Sequence, residues 1–300
     1  MRIRILGSAA GGGLPQWNCA CRQCQAARAG NIPARTQSSV GISPDGERWF
    51  LINASPDLRA QIEAFPALQP KPENPRSTPI QAVFLTGADL DHVIGLLLVR
   101  EGERLPVYAQ PAVREAVVKS LGFEKLLSSF CGIEWRSWPS EPTPLLDRRG
   151  AKTGIVVRAI PMGGPAPRYA RESEAEEQHS ALELLDEKTN GRALIVPGAS
   201  EFTPPLEEAL ARADAVLFDG TFWTEDEMRD AGFSQLRASD MGHLPISTGS
   251  LETLRKAKAR SKAYFHINNS NPVLLADSEE RKVVEAAGLK IAEDGLEFTV

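Results

Sequence analysis

Ile80-Gln81-Ala82-Val83-Phe84-Leu85-Thr86-Gly87-Ala88-Asp89-Leu90-Asp91-His92 is the stretch on which the fold turns. Its first six residues form a short, nearly continuous apolar run, the pattern of a strand buried on both faces. A polar loop follows, and residues 93–100 read as an apolar helix. Strand, polar loop and helix in that order make a βα unit, and α/β folds gather their chemistry where such strands end. Two further strand ends have the same character. Residues 215–218 run into Asp219, and Ala263-Tyr264-Phe265 runs into His266.

Outward from these ends, the pattern stays mixed. Residues 2–6 alternate like a strand and break at the glycine-rich loop 7–13. Strands are expected at 38–42 and 49–53, joined by the turn Pro44-Asp45-Gly46. A helix with Pro56 at its first position is expected over 55–65, then a proline-rich loop over 66–79. A strand at 106–109 and a helix over 111–121 complete the first half. In the second half, strands are expected at 155–160 and 193–196, with helices over 202–212 and 246–258. The acidic run 171–177 reads as a solvated face or insertion. Asp277-x-x-Glu280 resembles a capping box whose helix Gly288 closes. No composition break divides the chain. A single domain over 1–300 follows, and two β-rich halves with helices outside suggest a four-layer αββα sandwich.

Composition narrows the function classes. The 300 residues carry 34 basic and 39 acidic side chains, a net charge of −5 without a basic stripe, which argues against nucleic acid as a partner. No run of 18 apolar residues exists, so membrane insertion is not expected. The apolar stretch within the first ten residues is too short for a signal-peptide core and Arg2-Ile3-Arg4-Ile5 alternates like a strand, so a cytoplasmic location is expected. Four cysteines are too few for a disulfide framework. Cys131 stands alone and reads as a small buried hydrophobe. Histidine is scarce: any imidazole-based site must draw on His92, His179, His243 and His266.

Taken singly, an acid after a strand is often a helix N-cap, and Asp91 precedes an apolar segment. Together, Asp91, His92, Asp219 and His266 place two imidazoles and two carboxylates at strand ends, which points to a metal site. Asp89 is a further ligand or an acceptor that orients His92. A nitrogen–oxygen set without thiolate disfavours Cu(I) and suits Fe(II) or zinc. The spacing Cys19-x-Cys21-x-x-Cys24 lets three thiolates share one structural zinc, which needs a fourth ligand.

The order of these elements resembles the metallo-β-lactamase superfamily, whose signature is His-x-His-x-Asp-His, a later His, a bridging Asp and a final His. Asp91 and His92 fall on its Asp-His, Asp219 on its bridging Asp and His266 on its final His. Its two leading histidines fall on Gly87 and Asp89, and its later histidine falls near Met162-Gly163-Gly164. One of the superfamily's two metal sets is therefore complete and the other is missing, which implies a mononuclear site. Longer stretches resemble the family of coenzyme PQQ synthesis protein B (PqqB). They are residues 7–19, Asn53-Ala54-Ser55-Pro56-Asp57-Leu58-Arg59, Asp219-Gly220-Thr221-Phe222-Trp223, Met241-Gly242-His243-Leu244-Pro245-Ile246 and the run from His266 to Pro272.

That resemblance implies a role in pyrroloquinoline quinone (PQQ) biosynthesis. It implies iron-dependent hydroxylation, with O2 as cosubstrate, of the tyrosine moiety of a cross-linked Glu-Tyr intermediate, a small amino-acid-derived precursor. A carrier assisting transport of PQQ or a precursor, and a zinc hydrolase of the superfamily, are the rival readings. His243 is expected to move a proton or bind substrate. Arg59 and Asn268 are candidate contacts to substrate carboxylates. Superfamily phosphodiesterases with the same cysteine cluster take a fourth ligand from the position occupied here by Asn269, so its amide oxygen, a nearby carboxylate or water completes the zinc. Oligomeric state is open, a homodimer being one arrangement.

Overall fold

A computed structural model describes residues 1–170 and 178–300; the acidic run 171–177 lies outside the described residues. The strands, in chain order, are β1 Arg2–Gly7, β2 Ser39–Ser43, β3 Trp49–Ile52, β4 Ile80–Phe84, β5 Leu105–Ala109 and β6 Ile133–Ser137. They continue with β7 Thr143–Leu146, β8 Lys152–Met162, β9 His179–Asp186, β10 Arg192–Val196, β11 Ala215–Asp219, β12 Ser261–Phe265, β13 Lys290–Ile291 and β14 Glu297–Thr299. Among the described residues they form two seven-stranded sheets, ordered β14-β1-β2-β3-β4-β5-β6 and β13-β12-β11-β10-β9-β8-β7. The runs β3 to β6 and β10 to β13 are parallel, and the remaining pairs are antiparallel.

Alternation within each strand builds the layers. Ile3, Ile5, Phe84, Leu182, Leu184, Leu217 and Phe265 fill the space between the sheets. Their neighbours point outward: Leu51, Val83 and Val107 pack beneath one helical layer, and Val216, Phe218 and Tyr264 beneath the other. The αββα sandwich is therefore present. Helix Pro204–Arg212 lays Leu206, Ala209 and Leu210 on the second sheet, and helix Glu279–Ala286 lays Val284 there.

Several local expectations need correction. The helix expected over 55–65 spans only Leu58–Glu63. The apolar helix after the metal loop is a turn, Leu90–Val93, followed by a tight 3₁₀ segment, Ile94–Val99. Close packing explains this: a Cβ at Gly95 would lie 2.3 Å from Ser55 O, so the chain hugs the neighbouring loop. The expected capping acid is displaced by one position, because Ser278 is the N-cap and its hydroxyl accepts from Arg281 N at 3.1 Å. The helices expected over 111–121 and 246–258 each contain a widened turn, with Leu121 N donating to Ala116 O and Ser250 N to Pro245 O. No helix among the described residues is long and apolar enough to cross a membrane.

Candidate metal centre and cleft

The C-terminal ends of parallel strands β4, β10, β11 and β12 open into one cleft of ≈ 270 Å³. Asp89, Asp91 and His92 come from the loop after β4, Thr221 from the loop after β11, and His266 directly follows β12. The loop after β4 is braced from behind. Asn53 Nδ2 donates to Thr86 Oγ1 at 2.8 Å, and Thr86 N donates back to Asn53 Oδ1 at 2.9 Å. Ala54 N holds His92 O at 2.7 Å. His266 turns into the left-handed region, at φ +55°, a conformation that histidine tolerates better than most and that functional sites retain.

Asp91, His92 and His266 offer ligand atoms within 4.8 Å of one another, and so do Asp219, His243 and His266. The four expected ligands, together with His243, thus arrange as two triads sharing His266. His266 Nε2 lies 3.2 Å from Asp91 Oδ2, while its Nδ1 lies 2.9 Å from Thr221 Oγ1. Thr221 Oγ1 in turn donates to Asp219 Oδ1 at 2.5 Å. Asp219 is fully buried; its carboxylate also accepts from Thr221 N and Ala199 N and lies 2.6 Å from His243 Nδ1.

Electrostatics follow from this crowding. Burial disfavours charge on His266, yet hydrogen bonds and charge from Asp219 and Asp91 outweigh it and push its pKa up to about 10. Burial opposes ionisation of Asp91 and Asp219 as well, but the facing imidazoles hold both carboxyls well below the ordinary range. His92 is different: burial dominates and lowers its pKa, so the ring is neutral. Both its nitrogens are buried without a hydrogen-bond partner. A neutral, unpaired imidazole beside a carboxylate and a second imidazole fits a bound cation, which would satisfy it. Asp89 does not orient His92 through a hydrogen bond; its carboxylate instead faces His179 Nδ1 at 3.8 Å.

His179 is the residue the sequence reading undervalued. It lies at the start of β9 and lines the cleft. Its ring is cradled where a Cβ at Gly87 or at Gly164 would each come within 2.9 Å of it. These are the positions on which superfamily histidines fall, so one imidazole from another strand fills space that two leave. Arg59 is not part of the cleft: it is exposed on helix Leu58–Glu63, and among the described residues the arginine that lines the cleft is Arg168. Asn268 and His243 both line it.

The cysteine cluster stands behind the same loop as His266. The sulfurs of Cys19, Cys21 and Cys24 lie within 4.8 Å of one another. Asn269 Nδ2 covers them at 3.2, 3.6 and 3.4 Å. A half-turn of that amide presents its oxygen in the same place, so the donors fit a thiophilic ion with Asn269 as the fourth arm. Burial pushes the Cys24 thiol up to about 11. Cys131 is half-buried and distant in the fold, its thiol against Val99 O.

Comparison with known proteins agrees with this architecture. A description of the beta-lactamase superfamily domain matches residues 48–267. Coenzyme PQQ synthesis protein B of Cupriavidus necator is 42% identical over 99% of both chains. Its counterpart in Methylococcus capsulatus is 40% identical over the full length of both. The crystal structure of Zn(2+)-bound PqqB from Methylobacterium extorquens superimposes with a TM-score of 0.90 and 38% identity, covering 100% of each chain. A diphosphatase of the PhnP family, at TM-score 0.70 and 21% identity over 99% of this chain and 97% of its own, shares the fold.

Proposed function

Because the chain belongs to the coenzyme PQQ synthesis protein B family of the metallo-β-lactamase superfamily, we propose that it acts in PQQ biosynthesis as an iron-dependent hydroxylase. Its substrate is the tyrosine moiety of a cross-linked Glu-Tyr intermediate, with O2 as cosubstrate, in the cytoplasm. The observation that carries this reading is His92, with both nitrogens buried and unpartnered, beside Asp91 and His266 in a cleft where Gly87 and Asp89 stand at the superfamily's leading histidine positions.

Asp91, His92, Asp219 and His266 would hold the ion. Fe(II) bound there supplies redox chemistry toward O2 with coordination positions left open. Thr221 holds His266 through Nδ1 and so commits Nε2 to the cleft side facing Asp91. With Nδ1–H donated to Asp219, His243 keeps Nε2 as the ring's acceptor, suited to receive the phenolic proton. Pro165, Pro167, Leu236 and Met241 supply the apolar part of the cleft wall, against which an aromatic ring could pack. Cys19, Cys21, Cys24 and Asn269 would hold zinc and pin the loop that carries His266.

Anaerobic purification with metal analysis, followed by O2 uptake on a cross-linked Glu-Tyr substrate, tests the reading. Iron-dependent O2 consumption matched by a hydroxylated ring is the expected result. Zero consumption by the iron-loaded protein overturns it. Metal-dependent cleavage of phosphodiester or ester compounds would instead favour a zinc hydrolase, and function retained in His92→Ala would favour a carrier.

A further inference from the structure

On one wall of the cleft, His179 and Asp89 face each other without a hydrogen bond between them. A carbonyl oxygen only accepts, so the 3.0 Å contact between His179 Nε2 and Pro165 O places a proton on Nε2. In the Nε2–H tautomer that this contact selects, Nδ1 carries a lone pair, and it lies 3.8 Å from Asp89 Oδ2. That separation is too long for a hydrogen bond between the two. The arrangement is built in, because Gly87 and Gly164 leave room for this ring and for nothing larger at their own positions. A donor atom on the cleft side, at about 2.9 Å from each, would satisfy both. An ammonium suits it best: it gives two hydrogens from one atom and carries the charge that answers Asp89.

The opposite charge stands nearby. Arg168 lines the same cleft, is exposed, and makes no ion pair or hydrogen bond with a described residue. It sits on the strap that His179 holds through Pro165 O. The strap is fastened again beyond Arg168, where Tyr169 Oη donates to Ala88 O and Ala170 is buried. Without a partner among the described residues, its guanidinium can serve as a bidentate anion receptor on a fixed support beside Asp89 and His179.

We propose that Asp89, His179 and Arg168 form a subsite for the zwitterionic head group of an α-amino acid, the ammonium lodged between Asp89 Oδ2 and His179 Nδ1 and the carboxylate on Arg168. The subsite rests on the amino-acid-derived substrate proposed above and supplies the means of recognising it. It also gives a role to Asp89 and His179, an acid and an imidazole of the cleft that lie outside the tight metal-capable clusters.

Binding of catechols to the zinc-loaded protein under argon tests the subsite. L-DOPA, dopamine (no carboxylate) and 3-(3,4-dihydroxyphenyl)propionate (no ammonium) share one ring and differ only in the head group. Wild-type protein is expected to bind L-DOPA about tenfold more tightly than either truncated compound. Arg168→Gln should weaken L-DOPA and the propionate about tenfold and leave dopamine unchanged. Asp89→Asn and His179→Gln should weaken L-DOPA and dopamine and leave the propionate unchanged, with zinc content equal throughout. Equal affinity of the wild type for all three, a uniform loss in Arg168→Gln, or failure of L-DOPA to bind would overturn the proposal. Because no O2 is present, a failed hydroxylation assay and a failed head-group assay remain separate results.

Discussion

Replacing Glu227 with Gln should make the protein more stable at alkaline pH and much less so at acid pH. Glu227 is buried behind the site, where it joins two of the loops that build it. Its Oε2 accepts from Trp223 N at 2.6 Å, on the Asp219 side, and its Oε1 accepts from Ser270 Oγ at 2.5 Å, on the His266 side. Ser270 Oγ in turn accepts from Asn268 Nδ2, at the cleft. Burial outweighs these hydrogen bonds and pushes the pKa from the ordinary 4.5 up to about 7. Below 4.5 the folded and unfolded chains are both protonated and no penalty exists. Between 4.5 and 7 the unfolded chain ionises while the folded one keeps its proton, so stability falls as pH rises. Above 7 the loss is complete, and the gap corresponds to about 3 kcal/mol. Glutamine mimics the protonated acid at every pH. Urea unfolding of both proteins from pH 4 to pH 8, with metal chelated, reads the difference directly. The advantage of Glu227→Gln should grow by about 3 kcal/mol across that range. A difference that stays flat with pH would refute the reasoning, whatever its size.

Metal binding at the active site should release a proton and strengthen with pH. His266, pushed up to about 10, is protonated at neutral pH, so an incoming cation displaces that proton and affinity rises toward pH 10; calorimetry in buffers of different ionisation enthalpy counts it. His92→Ala should lower metal content by one ion and leave the ion at Cys19, Cys21 and Cys24 in place, by elemental analysis, because the two donor sets share no residue. Cys24→Ser should show the converse loss. Gly95→Ala should destabilise by about 3 kcal/mol or prevent folding, since its Cβ would lie 2.3 Å from Ser55 O and 2.7 Å from Ala54 backbone atoms that cannot yield; thermal melts and soluble yield measure it.

Strands buried on both faces were legible because their residues are apolar without interruption. Residues 80–85, 215–218 and 263–265 sit in the parallel centres of the two sheets, and the acids and imidazoles just beyond them converge as expected. Antiparallel and edge strands were harder. β6 reads Ile-Glu-Trp-Arg-Ser, half exposed at a sheet edge, and gives no clear alternation. β9 places apolar residues at 181, 182, 184 and 185, a spacing that suits a helix face as well as a strand, and it follows an acidic run. Missing that strand hid His179, whose position in the cleft depends on β9 pairing with β8 all along its length. Arg168 was hidden for another reason: nothing local distinguishes an arginine on a proline strap from any surface cation. Thr221 was visible in sequence, two residues after Asp219, but its bond to the His266 ring is a tertiary fact.

The pairing of β1 with β14 bears on how the chain survives its own synthesis. β1 leaves the ribosome long before β14, because Glu297, the partner of Arg2, follows 295 residues later. Throughout elongation the outer edge of the first sheet is an open template for pairing with another nascent chain. Arg2 and Arg4, projecting from that strand, repel a second copy of the same edge until Glu297 arrives and ties both at 2.6 and 3.0 Å. The two arginines thus act twice, as a charged guard on an open sheet edge and as a clasp once β14 has paired with it.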